Sequence, residues 1–95
     1  MQYLVIAYDN ANALERRLES RDEHVEGVRK LMAEGKIINA AALMEEDVMV
    51  GSTLFIDFET DEELDAWLEN EPYVKNNAWD MDEFQIVAMK VLPKE

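Results

Sequence analysis

The chain has 95 residues, 48% of them hydrophobic, a formal net charge of −13 and no cysteine. A chain of that length holds one core, burying roughly 60–65% of the surface its unfolded form exposes, and leaves no room for a second domain. Without cysteine there are no disulfides, thiolate nucleophiles or sulfur-bound zinc, and so acidic a chain lacks the clustered Lys and Arg that nucleic acid or an anionic membrane surface needs.

Residues 2–8 (QYLVIAY) have the aromatic and β-branched bias of a strand. Asp9, Asn10 and Asn12 break it with turn chemistry. Leu14 and Leu18 suggest a short helical piece, and Ser20 followed by Glu23 reads as a capping box that starts the main helix. Val25, Val28, Leu31 and Met32 mark that helix's apolar face, and Gly35 ends it. Residues 37–44 (IINAAALM) are short, apolar and bounded by turn-like residues, so they read as a second strand. Residues 51–58 (GSTLFIDF) form a third, with Leu54, Ile56 and Phe58 on one side and Thr53, Phe55 and Asp57 on the other. The link 45–50 makes these two an antiparallel hairpin. Thr60 and Glu63 form a second capping box, opening a helix that runs through Asn70 with Leu64, Trp67 and Leu68 inward. Pro72 stops that helix, since the residue before a proline is pushed out of α geometry. Residues 83–92 (EFQIVAMKVL) complete the chain's regular structure as a final strand.

The order β-α-β-β-α-β is the split-βαβ, ferredoxin-like α+β sandwich, with two helices on one face of a four-stranded sheet. The other face is left uncovered and carries Phe55, Val87, Met89 and Val91. An apolar face of that size predicts a homodimer packed sheet to sheet. The N-terminus opens on a strand without a basic leader and no apolar run reaches the ~20 residues of a spanning helix, so the expectation is a cytoplasmic protein with no membrane and no nucleic-acid partner.

The acidity is uneven. Residues 1–36 carry six Lys/Arg against seven Asp/Glu, and residues 37–95 carry three against fifteen. Most of that acid is a solvated surface; an anionic ligand would have to sit near the first third, where Arg16, Arg17 and Arg21 lie. His24, the one histidine, borders the apolar face of its helix. It can act as a general acid and base if a carboxylate orients it, or it can be an ordinary, partly exposed helix residue. One histidine among scattered acids forms no metal-binding spacing, so no metal is expected, and nothing in the chain requires a cofactor. In 70–80 (NEPYVKNNAWD) the Glu-Pro-Tyr turn can aim Glu71 and Tyr73 into a cleft, or be a plain helix stop with Tyr73 in the core. Ser52, after Gly51, is a candidate hydrogen-bond donor or ordinary turn chemistry.

Taken together, LERRLESRDEH, LMAEGKI, VGSTLFIDFET and EPYVKNNAWD resemble the YciI-like (YCII-related) family from Tyr3 to about Pro93, with Arg21-x-x-His24, Gly35, Gly51-Ser52-Thr53 and Glu71–Val74 as the most telling elements. The resemblance implies a dimeric ferredoxin-like α+β barrel in which the histidine and the acid of the acid-Pro-Tyr motif meet in a pocket. Here those are His24 and Glu71, with Arg21, Ser52 and Tyr73 around a small-molecule ligand. It implies a lyase- or isomerase-type enzyme acting on a small aromatic or enolisable substrate, since one relative dechlorinates a chlorinated hydroxyhydroquinone. The alternative is a non-catalytic binding or accessory module that retains the fold. Two positions depart from the family pattern: Glu71 stands where Asp is usual, which favours a water-bridged contact with His24, and Ala41-Ala42 stand where Gly-Pro often follows the second strand.

Overall fold

A computed structural model describes residues 1–93. Its elements are β1 (Gln2–Tyr8), α1 (Leu14–Ala33), β2 (Ile37–Glu45), β3 (Val48–Asp57), α2 (Asp61–Asn70), α3 (Pro72–Lys75) and β4 (Gln85–Met89). The strands form one antiparallel sheet in the order β2-β3-β1-β4, the ferredoxin-like arrangement that the element order predicts. Alternation sorts each strand: Val5, Ala7, Leu54 and Ile56 are buried beneath the helices, whereas Phe55 and Val87 on the opposite face are 38% and 46% exposed. Leu4 pairs with both Phe55 and Val87, so the open face is apolar at its centre.

Several boundaries differ from the sequence expectation. The two helical pieces before Gly35 are one 20-residue helix, and Ser20 is not a cap but a buried interior residue. Helix start signals also occur inside helices, and here a single stripe, Arg17–Ser20–His24–Val28, is buried through the middle of α1, across the expected start at Ser20. Val28 lies on it, while Met32 is exposed. The C-terminus ends as expected: Gly35 adopts φ +75°, its amide donates to Met32 O and the Lys36 amide to Leu31 O, the paired bonds of a Schellman turn. The β2–β3 strands run further into their link than expected, leaving only Glu46 and Asp47 as the turn, with Glu46 at φ 55°.

The Thr60 cap forms as expected, Oγ1 accepting from the Glu63 amide at 3.1 Å. Pro72 ends α2 but also opens α3, occupying the first position where its missing N–H costs nothing. The final strand is shorter than 83–92: a turn covers Asp80–Glu83, and beyond Met89 the Val91 amide donates to the Gln2 side chain instead of a ladder partner.

Candidate functional site

The site forms where α3 docks on the middle of α1. Glu71 precedes a proline, which holds it extended at φ −70°, ψ 122°. From there its carboxylate turns back to cap α3, with Oε1 accepting the Tyr73 amide at 3.2 Å. The same oxygen lies 2.5 Å from His24 Nδ1. Both residues are buried, His24 8% and Glu71 4% exposed. The longer glutamate arm is therefore absorbed by the cap, and the contact is direct rather than water-bridged as its length had suggested.

Tyr73 stacks on the His24 ring at 3.9 Å, and Trp79 meets both rings edge-on at 6.0 and 5.6 Å. Trp79 is brought there by Asn77, whose φ of 56° reverses the chain after α3. Asn10 Nδ2 then donates to Trp79 O at 3.0 Å, and the Asp80 amide to Tyr8 O at 2.8 Å, fastening the loop to the end of β1. Asn76 ties the helices together, donating to Ser20 Oγ at 2.8 Å and Arg16 O at 3.1 Å.

Behind Tyr73 runs a buried polar row. Arg17, 1% exposed, lies over the Tyr73 ring at 4.6 Å. Its Nη2 donates to Ser52 Oγ at 2.5 Å and to Gly51 O, and its Nε stands 3.2 Å from Asp9 Oδ2 without the alignment of a hydrogen bond. Ser52 Oγ also accepts from Trp79 Nε1 at 3.2 Å. With both lone pairs engaged, its proton is free to donate. Burial pushes the Asp9 carboxyl above its ordinary value, against the pull of Arg17. Burial likewise pushes the Tyr73 phenol up, opposed by Arg17 and Arg21, so at neutral pH Tyr73 is a neutral hydroxyl.

His24, Ser52, Tyr73 and Arg21, together with Arg17 and Arg29, line one open cavity of about 230 Å³ between α1 and the β2–β3 hairpin. Ala41 and Ala42 form part of its wall, paired with Thr53 and Ser52. Four of the five expected site residues thus share the cavity and the fifth, Glu71, stands behind His24. A second groove, about 400 Å³, runs between α1 and α2 on the far side of Glu71 and reaches none of the arginines. Among the described residues no group of three or more His, Asp or Glu side chains is placed to hold a metal, and no helix is long and apolar enough to cross a membrane.

Arg17, Asp9 and Trp79 have structural parts here that the sequence reading did not assign. Arg17 was legible in principle: it lies seven residues before His24, on the same helical stripe, once α1 is read as continuous. Asp9 and Trp79 carry no local signal.

The family model of the YCII-related domain matches residues 1–90. Protein YciI of Escherichia coli O6:H1 is 33% identical over 81 residues, covering 78% of this chain and 83% of that protein. An uncharacterized protein of Haemophilus influenzae is 32% identical over 82 residues, 79% of this chain and 84% of that one. Among solved structures, 5-chloro-2-hydroxyhydroquinone dehydrochlorinase from Burkholderia phenoliruptrix AC1100, in complex with 2,5-dihydroxybenzoquinone, superposes with a TM-score of 0.82 at 22% identity, covering 95% of this chain and 94% of that one. That likeness establishes the shared α+β fold.

Proposed function

The chain belongs to the YCII-related domain family, and on that premise we propose that it is a small proton-transfer enzyme of lyase or isomerase type, with His24 as general acid and base. The observation that carries this reading is the buried contact of His24 Nδ1 with Glu71 Oε1, made by a histidine that also lines the cavity. With the carboxylate accepting at Nδ1, the neutral imidazole keeps its proton there and holds a lone pair at Nε2. Nε2 takes a proton from the substrate, and Glu71 stabilises the imidazolium that results. The electron pair left behind either expels a leaving group or is reprotonated by the same nitrogen at another position. Such transfer supplies typically ~10²–10⁴-fold. Ser52 and Tyr73 are the neutral donors for an oxygen that gains charge as the proton leaves.

A cavity of about 230 Å³ suits a single oxygenated ring, the size of compound bound by the dehydrochlorinase of like fold. The apolar open face of the sheet supports a homodimer, with a second copy covering Phe55 and Val87.

Proton exchange tests the reading. Hydroquinones and enolisable ring ketones are incubated with the protein in heavy water, and loss of the carbon-bound proton signal is followed by NMR. The expected result is exchange by the wild type that His24→Gln loses. Binding of those compounds without exchange by either protein would make this a ligand-binding module and sink the catalytic reading.

A further inference from the structure

The cavity beside His24 has a charge unlike the rest of the molecule. Acids outnumber bases by 22 to 9 in the chain, yet among the described residues three arginines line this cavity, Arg17, Arg21 and Arg29, and no carboxylate does. The three are not equivalent. Arg17 is committed to Asp9, Ser52 and Gly51. Arg21 and Arg29 are exposed and form no ion pair among the described residues. They are eight residues apart on α1, two turns along one face, which puts their Cα atoms about 12 Å apart. The two guanidiniums therefore flank the length of the cavity instead of converging on one point, and on the outer side of the helix they share a surface hollow with Asp22 and Glu26.

We propose that the ligand of this cavity is a small organic anion, a single-ring carboxylate, drawn in and retained by the positive field that Arg21 and Arg29 set along the cavity while its ring lies beside His24. The proposal rests on the reading of this cavity as the ligand site and adds the chemical class that enters it. A neutral ligand would leave two unpaired cations at the mouth with nothing gained from them. An anion is attracted by both, whereas the net charge of −13 disfavours it over the surface as a whole. The cavity's volume of about 230 Å³ matches a single ring better than a larger polyanion such as a nucleotide.

The test uses benzoate and its neutral isostere benzamide, titrated while the backbone amide resonances of Val25 and Ser52 are followed. Benzoate is expected to bind saturably and about tenfold more tightly than benzamide at low salt, with the preference shrinking at high salt. Arg21→Gln and Arg29→Gln should each weaken benzoate several-fold and leave benzamide unchanged, and the double variant should abolish the preference. Lys30→Gln makes the same charge change on the same helix, but its side chain lines the other groove, so it should leave the preference intact. Equal affinity for the two probes, no benzoate binding, or an equal effect of Lys30→Gln overturns the proposal. Measuring the same preference in His24→Asn, beside the proton-exchange assay, separates this inference from the catalytic one. Preference retained without any exchange by the wild type sinks only the catalysis, and exchange without preference sinks only the anion.

Discussion

The imidazole of His24 lies flat on the phenol ring of Tyr73, with centroids 3.9 Å apart and planes inclined by 19°. The stack joins the middle of α1 to the first turn of α3, and Arg17 closes its other side at 4.6 Å. Three side chains in a column leave the imidazole little freedom to tilt, so the oxygen that caps α3 also meets Nδ1 in a set direction. Orientation of the ring is thus a property of the packed core, not of a loop.

That column predicts unequal effects of trimming Tyr73. Tyr73→Phe keeps the ring and should change stability by less than about 1 kcal/mol. Tyr73→Ala removes a side chain 2% exposed and should cost about 3–5 kcal/mol. Urea unfolding measures both; similar losses in the two variants would show that the hydroxyl, not the stack, holds the site.

Gly51 has no room for a side chain. A Cβ placed there would lie 2.5 Å from Ala7 O and 3.1 Å from Tyr8 Cα, both backbone. Gly51→Ala must spread β1 from β3 beside the carbonyl that Arg17 uses, at a cost of about 2–3 kcal/mol. Denaturant unfolding checks the figure, and wild-type stability in the variant would contradict the close approach.

Asp9 sets a pH dependence whose sign follows from burial. Its folded carboxyl sits above the ordinary value of 3.8 because burial outweighs Arg17. The folded state therefore holds this proton more tightly than the unfolded state does. The stability that proton contributes is fully present below 3.8 and is lost as pH rises through the folded value. The stability difference between wild type and Asp9→Asn should accordingly favour wild type most at the acid end and shrink as pH increases through that window. A difference growing with pH would mean that Arg17 dominates.

What was legible in the sequence divides by range. Thr60–Glu63 and Gly35 act within a few residues of themselves, and both signals led to the right helix ends. Ser20–Glu23 has the same spacing as the Thr60 box, but Ser20 faces Asn76 of a segment far along the chain, a contact no local pattern carries. The meeting of His24 and Glu71 came from the family resemblance, because a turn residue's direction depends on what it packs against. The buried Asp9–Arg17 pair was invisible for that reason: Asp9 has ordinary turn chemistry until β1, β3 and α1 close around it.

The open sheet face makes the dimer testable. Phe55 and Val87 flank Leu4 across the ladder, and a second copy should cover them. Light scattering is expected to give about twice 11.0 kDa at micromolar concentration, and Phe55→Glu should return the monomer by placing charge in the interface. A wild-type monomer under those conditions removes the dimer.

Glu71 has two separable tasks, and Glu71→Gln divides them. A glutamine oxygen can still accept the Tyr73 amide, so α3 should remain capped and the fold intact. It can also accept from Nδ1, but it carries no charge to stabilise an imidazolium beside it, and its amide nitrogen can instead donate to the ring and reverse the tautomer. Nitrogen-15 NMR of the His24 ring should then show the proton held at Nδ1 in the wild type and shared between both nitrogens in the variant. If the proposed chemistry is right, proton exchange should fall by about 10²-fold or more with little change in ligand affinity, because the lost interaction strengthens only as the ring charges. Glu71→Ala removes both tasks and should also lose stability, by about 1.5–3 kcal/mol for a charge-assisted hydrogen bond. A Glu71→Gln protein that keeps the wild-type tautomer and full exchange would reduce Glu71 to a helix cap.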